Sequence, residues 1–333
     1  MQSLEVSIHN NDLKVSSASP MLFDPICRFL RYVSVKPASQ GPILDLTCYA
    51  VSSPEEIPDV LSPHSKEVSS RTGETRGDTA RSEWKCTLYV EPTKFIADYH
   101  AQGLVLVDFS TESAQVYVVR PEAMHEDIRI SYFHFALVEL LKRRGFYTLH
   151  ATALEKDGQG ILIPGCSGRG KTTAFISLLR SGYRCLSDDH PLLHENNGEL
   201  ELLAFEEKVD VTENSLKFFP EFQNASDEKL PQGFWKRYFY IEDFYDDRFA
   251  MSCRPRMLLF PQIVDVPTSS VQSLKKTRAL EELLPETLAV FDKQVAKQEF
   301  QFLSRLVNQL DCYQLYFGHD VLDLPKLIDP LLK

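Results

Sequence analysis

Apolar and polar residues alternate in short runs through the first third of the chain, which is the pattern of half-buried β-strands. The runs lie at 4–8, 43–49, 87–90, 104–107 and 114–119. The last three are predicted to belong to one antiparallel sheet. Between the second and third runs, residues 52–83 hold few large aliphatic side chains and many Ser and Thr residues, so we predict a mobile loop there.

The pattern changes to helical spacing at about residue 130. Apolar residues within 130–144 share one helix face, and Gly145 follows a basic triplet that suits a helix C-terminus. The next two strands flank Asp157-Gly158, a pair typical of a tight β-hairpin. The remaining elements follow in order. They are a helix at 173–180 that ends at Gly182, a buried strand at 183–187, a core strand at 257–260, helical patterns in 279–310 and a closing strand at 313–317. These elements predict an α/β protein, with a β-rich region at 1–125 and a second domain at 126–333.

One stretch of this second domain carries a specific motif. Residues 165–172 read Gly-Cys-Ser-Gly-Arg-Gly-Lys-Thr, which fits the phosphate-binding P-loop pattern G-x-x-x-x-G-K-[S/T]. The motif lies between a predicted strand and a predicted helix, which is the context that its chemistry needs. Glycines let backbone N–H groups close around phosphate oxygens, and the helix N-terminus adds partial positive charge. The candidate nucleotide-binding residues are Gly165, Cys166, Ser167, Gly168, Arg169, Gly170, Lys171, Thr172 and Thr173.

Three further residues are candidates for chemistry beside that loop. Asp188 and Asp189 follow the buried strand at 183–187, and ligands of open α/β sheets bind at the carboxyl ends of strands. One carboxylate could accept a hydroxyl proton and the other could help to hold Mg²⁺, and the sequence does not rank the two. The predicted hairpin brings His150 near the same loop. The alternative interpretations are a turn capped by aspartate and a histidine packed in the core.

Composition and charge exclude several classes of protein. Hydrophobic residues make up 43% and charged residues 25% of the 333 positions, which is ordinary for a globular protein. The net charge of −11 argues against a nucleic-acid partner. We expect no membrane association, because no signal-peptide pattern or long apolar run is present. Seven cysteines without framework spacing indicate reduced thiols and a cytoplasmic location.

Several segments together resemble the catalytic domain of HPr kinase/phosphorylase and its diverged relatives, a family related in fold to phosphoenolpyruvate carboxykinase. They are His150-Ala151-Thr152, the hairpin, 165–172, 186–189, 205–212, 253–261 and 313–318. The resemblance covers roughly residues 130–325 and implies a PEPCK/HPr-kinase-like P-loop domain with a mixed sheet. Some diverged members of the family phosphorylate a serine of a peptide such as a lasso-peptide precursor.

The resemblance implies an ATP- and Mg²⁺-dependent kinase that transfers the γ-phosphoryl group to a hydroxyl, most plausibly a serine of a peptide or protein. His150 would face the transferred group, with Lys171, Asp188 and Asp189 as its catalytic partners. Thr172, Asp189 and Glu207 would hold the metal, although Glu206 and Asp210 compete with Glu207. A kinase of a small-molecule hydroxyl and a nucleotide-sensing module without turnover are the alternatives. Residues 264–278 do not match the loop that serves the reverse reaction in the family, so the sequence leaves reversibility open. It also leaves homo-oligomer formation open.

Overall fold

The computed structural model describes residues 1–36, 43–76, 81–205, 208–229, 235–287 and 292–332. It is a mixed α/β structure with several sheets, and it divides into two compact units. The first unit comprises Met1–Arg144 with Lys229–Phe234, and the second comprises Gly145–Glu228 with Trp235–Lys333. The division into a β-rich region at 1–125 and a second domain at 126–333 concerns which parts of the chain fold independently, and it stays a prediction.

The first unit combines one large sheet with two helices. Its strands are β1 (Gln2–Ile8), β2 (Asn11–Ser17), β3 (Ser34–Lys36), β4 (Ile43–Val51), β5 (Lys66–Arg76), β6 (Arg81–Val90), β7 (Lys94–Asp98), β8 (Gly103–Asp108) and β9 (Ser113–Val119), and its helices are α1 (Pro20–Val33) and α2 (Glu126–Arg143). The strand order is β3-β1-β2-β4-β9-β8-β7-β6-β5. β4 pairs in parallel with both β2 and β9, whereas β6 to β9 pair antiparallel, as predicted for the strands at 87–90, 104–107 and 114–119.

The loop predicted at 52–83 is wrong for much of its length. β5 and the start of β6 fall within it and pair antiparallel at one end of the sheet. Most side chains of 66–72 are exposed. A strand at a sheet edge can therefore form without the alternating buried apolar positions by which strands are predicted from a sequence.

The rest of the chain holds the other elements. The strands are β10 (Tyr147–Thr148), β11 (Ala151–Lys156), β12 (Gln159–Pro164), β13 (Arg184–Ser187), β14 (Leu192–Asn196), β15 (Glu199–Leu203), β16 (Lys208–Val211), β17 (Ser226–Lys229), β18 (Trp235–Tyr240), β19 (Ser252–Ile263), β20 (Ser270–Ser273) and β21 (Asp311–Phe317), and the helices are α3 (Lys171–Arg180), α4 (Glu213–Leu216), α5 (Lys276–Leu283), α6 (Lys293–Gln309) and α7 (Leu324–Ile328). The main sheet has the order β10-β14-β15-β19-β12-β11-β13, and β21 joins it through β19.

The predicted hairpin is confirmed. β11 and β12 pair antiparallel from Ala151 opposite Pro164 to Lys156 opposite Gln159. Asp157 and Gly158 between them have φ of 53° and 78°, the two left-handed positions of a type I′ turn. The other neighbour of β12 is β19, which runs parallel to it, so the sheet is mixed.

Alternate residues of β12 belong to two different apolar cores. Ile161 and Ile163 lie in one with Phe175 of α3, and Leu162 lies in the other with Phe302 of α6. Because both faces of the strand are covered, it is a continuous apolar run and does not alternate with polar residues. In the described part of the chain, none of the helices has the length and apolarity needed to cross a membrane.

Candidate functional site

Residues 165–170 form the loop between β12 and α3, the glycine loop. Gly165, Gly168 and Gly170 have φ of 147°, 87° and 95°, a region that residues with a side chain rarely adopt. A Cβ at Gly170 would lie 3.1 Å from Cδ1 of Phe317. The four residues at 166–169 are exposed, so the loop presents its backbone to solvent.

Helix α3 begins directly after the glycine loop. The N–H group of Ala174 donates to the carbonyl of Gly170 at 2.9 Å and opens the helical ladder. The N–H groups of Lys171, Thr172 and Thr173 precede this bond and take no part in the ladder. They point out of the helix N-terminus, where backbone donors and the helix dipole favour an anion.

Lys171 is the first residue of α3, and its side chain turns back across the loop. Its ammonium group donates to the Gly165 carbonyl at 2.5 Å and lies 2.9 Å from Nε2 of His150. The residue is only 8% exposed. Burial lowers the pKa of Lys171, and the carboxylates of Asp189, Asp188 and Glu286 oppose that shift.

His150 lies between β10 and β11 and has contacts at both ring nitrogens. Its Nε2 lies 3.0 Å from Oδ1 of Asp189, and its Nδ1 lies 3.1 Å from Oε2 of Glu286. The hydrogen bond with Asp189 is the largest of the effects that raise the pKa of His150. Four charged or titratable groups, those of His150, Lys171, Asp189 and Glu286, therefore form one connected cluster.

The two aspartates follow β13, and β11 holds them in place. The N–H group of Ala151 donates to the Asp189 carbonyl at 2.9 Å, and the Thr152 hydroxyl donates to the Asp188 carbonyl at 2.7 Å. The backbone N–H group of Asp210 lies 3.4 Å from Oδ2 of Asp188. Neighbouring strand ends thus bring the carboxylates to the side of His150.

Asp188 and Asp189 have opposite electrostatic environments. Asp188 is 6% exposed, and burial together with the charges of Asp189 and Asp210 raises its pKa to about 7. Partial burial also acts to raise the pKa of Asp189, but the hydrogen bond from His150 and the charges of His190 and Lys171 outweigh it, so this pKa is lowered. One carboxyl group is therefore poised to exchange a proton near neutral pH while its neighbour stays ionised.

The structure brings together most of the residues singled out from the sequence. His150, Lys171 and Asp189 belong to the cluster, Asp188 precedes Asp189 at the end of β13, and the glycine loop lies at the edge of the cluster. Thr172 and Thr173 occupy the first turn of α3, where the Thr173 hydroxyl lies 2.8 Å from that of Ser215. Glu206 and Glu207 lie outside the described residues.

Sequence reasoning missed several residues that belong to the cluster or contact it. Glu286 lies 136 positions from His150 and carries no motif of its own. His190, whose Nε2 is 3.4 Å from Oδ2 of Asp189, follows the aspartate pair directly, and that adjacency was an available signal. Thr152 belongs to the family-like segment His150-Ala151-Thr152 and carries no other signal in the sequence.

The groups around the glycine loop are of the types that bind phosphate and magnesium. Backbone N–H groups and an ammonium group suit phosphate oxygens, and a hydroxyl with carboxylates suits Mg²⁺, which usually keeps several of its waters. Among the residues that the structure describes, no group of three or more His, Cys, Asp or Glu side chains forms a ready metal-ligand set. Thr172 and Asp189 would therefore supply only part of a metal shell.

Comparisons with known proteins give little beyond this geometry. No family model matches the sequence, and no curated protein matches it. Among solved structures, the chain is similar to the Hpr(Ser) kinase/phosphatase from Coxiella burnetii, with 15% sequence identity and a TM-score of 0.30. The match covers 55% of this chain and 87% of that one. A TM-score of 0.30 at 15% identity does not establish a shared function.

Proposed function

We propose that the protein is an ATP- and Mg²⁺-dependent phosphotransferase that moves the γ-phosphoryl group to a hydroxyl, namely a serine of a peptide or protein. The observation that carries the proposal is the cluster at the start of α3. There the Lys171 ammonium group lies 2.9 Å from His150, which itself lies 3.0 Å from Asp189. Phosphoryl transfer needs this combination of fixed positive charge, carboxylate and a proton acceptor at one place.

Binding of phosphate would fall to the glycine loop and α3. The N–H groups ahead of the helical ladder donate to phosphate oxygens, and Lys171 neutralises negative charge on the β- and γ-phosphates. When bound, Mg·ATP supplies the phosphoryl group and the metal charge that stabilises its transfer. Thr172 and Asp189 would contribute oxygen ligands to that metal, together with Glu207 or another acid of the 205–210 segment.

Asp188 is the better candidate for the general base. A catalytic base works best when its pKa is near the pH at which the enzyme operates, and burial raises the pKa of Asp188 to about 7. Asp189 is a poorer base because the hydrogen bond from His150 keeps it ionised and its pKa low. Asp188 would take the proton from the acceptor hydroxyl, while His150 and Lys171 face the transferred group.

The test compares Asp188→Asn with Asp189→Asn, because asparagine keeps the size of each side chain and removes its proton affinity. Nucleotide binding is measured by calorimetry, and transfer is measured from labelled ATP onto serine-containing peptides and onto metabolites with hydroxyl groups. Asp188→Asn should bind Mg·ATP as the wild type does and lose roughly 10²–10⁴-fold in transfer rate. Asp189→Asn should instead require more Mg²⁺ for half-maximal activity.

The exposed Asp246→Asn is the matched control and should change neither quantity. Transfer to metabolites alone would move the proposal to small-molecule kinases. A wild-type protein that binds ATP, labels no acceptor and is unaffected by either substitution would be a nucleotide sensor, contrary to the proposal.

A further inference from the structure

Glu286 ends the 3₁₀ turn that follows α5, and this turn is bonded to the strand end that carries His150. The His150 N–H group donates to the Glu286 carbonyl at 2.8 Å, and Leu149 forms an antiparallel bridge with Thr287. The side chain of Glu286 is 12% exposed. Backbone contacts therefore place a mostly buried carboxylate against the imidazole.

The contacts of the ring determine which nitrogen carries a proton. Lys171 is a donor only, so a neutral His150 that accepts from it at Nε2 must carry its proton on Nδ1. A charged His150 that donates to Asp189 from Nε2 carries a proton on Nδ1 as well. In both states Nδ1–H faces Oε2 of Glu286 at 3.1 Å, and an ionised carboxylate can only accept.

From these contacts we infer that Glu286 is the positioning residue of His150: it holds the proton on Nδ1 and so leaves Nε2 as the nitrogen that faces Lys171 and Asp189. The inference rests on the proposed function in so far as it gives His150 a role in the transfer. Glu286 itself does not reach the reacting atoms in this scheme. It acts through the orientation and tautomer of the histidine, as carboxylates beside functional histidines do in other sites.

Glu286→Gln separates this role from packing. Glutamine has the same size, and the backbone bond to His150 does not involve the side chain. An amide can donate as well as accept, so it no longer forces the proton onto Nδ1. A ring with its proton on Nε2 then becomes favourable, because Nε2–H can donate to Asp189 while Nδ1 accepts from the amide.

The first measurement is the tautomer of His150 in the full chain without nucleotide. ¹⁵N-labelled histidine and long-range ¹H–¹⁵N spectra distinguish the two neutral tautomers, and His150→Gln identifies the signal among the nine histidines. We expect Nδ1–H to dominate in the wild type and the Nε2–H share to rise in Glu286→Gln. Glu281→Gln, at a position 65% exposed on α5, is the control and should match the wild type. A wild-type ring protonated on Nε2, or the same tautomer in both proteins, would overturn the inference.

The second measurement is kinetic and tests whether Glu286 acts through His150. Glu286→Gln should lower kcat by roughly 10–100-fold, the usual effect of removing such a partner, with KM for ATP nearly unchanged. In a His150→Gln background the same substitution should have no further effect, and additive losses would contradict the inference. If the wild type transfers no phosphate at all, the proposed function fails while the tautomer comparison still decides the role of Glu286.

Discussion

The Thr152 hydroxyl donates a 2.7 Å hydrogen bond to the backbone carbonyl of Asp188, and the hydroxyl oxygen of Thr152 also lies 3.4 Å from Oδ1 of that aspartate. Thr152 is completely buried, and it stands opposite Ile163 in the β11–β12 hairpin. One residue therefore connects the strand that leads to the glycine loop with the strand end that carries the carboxylates. This link is within a single sheet, so the spacing between the loop and Asp188 does not depend on a flexible connection.

Thr152→Val tests the strength of this link. Valine has nearly the same shape but cannot donate, so the Asp188 carbonyl loses a buried partner. We expect the free energy of unfolding to fall by about 1–3 kcal/mol, measured by urea denaturation. Thr152→Ser keeps the hydroxyl and should retain the hydrogen bond while losing a methyl contact. Equal stability of Thr152→Val and the wild type would show that the bond contributes nothing.

Lys171→Ala is expected to weaken nucleotide binding and to abolish transfer, because Lys171 supplies the positive charge at the start of α3. Lys171→Arg should fail in transfer too, since a planar guanidinium does not fit a site built for a compact ammonium group. Calorimetric titration with Mg·ATP measures the affinity directly. Unchanged affinity in Lys171→Ala would contradict phosphate binding by the glycine loop.

Gly170→Ala should destabilise the fold and weaken nucleotide binding. The left-handed φ of 95° costs about 1–2 kcal/mol for a residue with a side chain, and the new Cβ would lie 3.1 Å from Phe317. Gly198→Ala is the matched control, because φ is 86° there and no atom lies within 4 Å of the new Cβ. Both variants should lose stability in urea, but only Gly170→Ala should bind Mg·ATP less tightly. Equal affinity in the two variants would contradict the role given to this turn.

The parts of the structure with local signals could be predicted from the sequence. A type I′ turn requires two residues with left-handed φ, and Asp-Gly is a pair that adopts this conformation readily. Asp157-Gly158 therefore indicated a tight turn between the two strands. At the end of α3, Gly182 has φ of 106°, and its N–H group donates to the Leu179 carbonyl while that of Tyr183 donates to Leu178. Such caps are set by neighbours in the chain, so composition at a few positions is enough.

Features that depend on distant partners could not be predicted in the same way. Glu286 is an ordinary acidic residue in the sequence and gains its role only where the chain returns to His150. The parallel pairing of β12 with β19 joins segments about 100 positions apart and has no turn signal. α1 was not predicted. It begins at Pro20, a first-turn position where proline is tolerated, but it also holds Pro25 in its interior, where proline is normally unfavourable.

The last prediction concerns the pH dependence of stability, and it follows from the environment of Asp188. Burial raises its pKa to about 7 in the folded protein, whereas an aspartate in the unfolded chain titrates near 3.8. Between these values the folded state binds more protons than the unfolded state, so the contribution of Asp188 to the free energy of unfolding falls as pH rises through this window. Below about pH 4 the effect vanishes, and above about pH 7 it is complete.

Asp188→Asn removes this titration, so the variant should gain stability relative to the wild type as pH rises from 4 to 8. The gain could reach about 4 kcal/mol, since each unit of pKa difference corresponds to about 1.4 kcal/mol. Asp189→Asn should keep a nearly constant difference from the wild type over this range, because the lowered pKa of Asp189 stabilises the fold fully above about pH 4 and that stability is lost only as pH falls below this value. Urea denaturation at pH 4, 5.5, 7 and 8 measures both differences. A difference between Asp188→Asn and the wild type that stays constant over this range would show that Asp188 does not titrate near neutral pH, and the argument for it as the general base would fail with it.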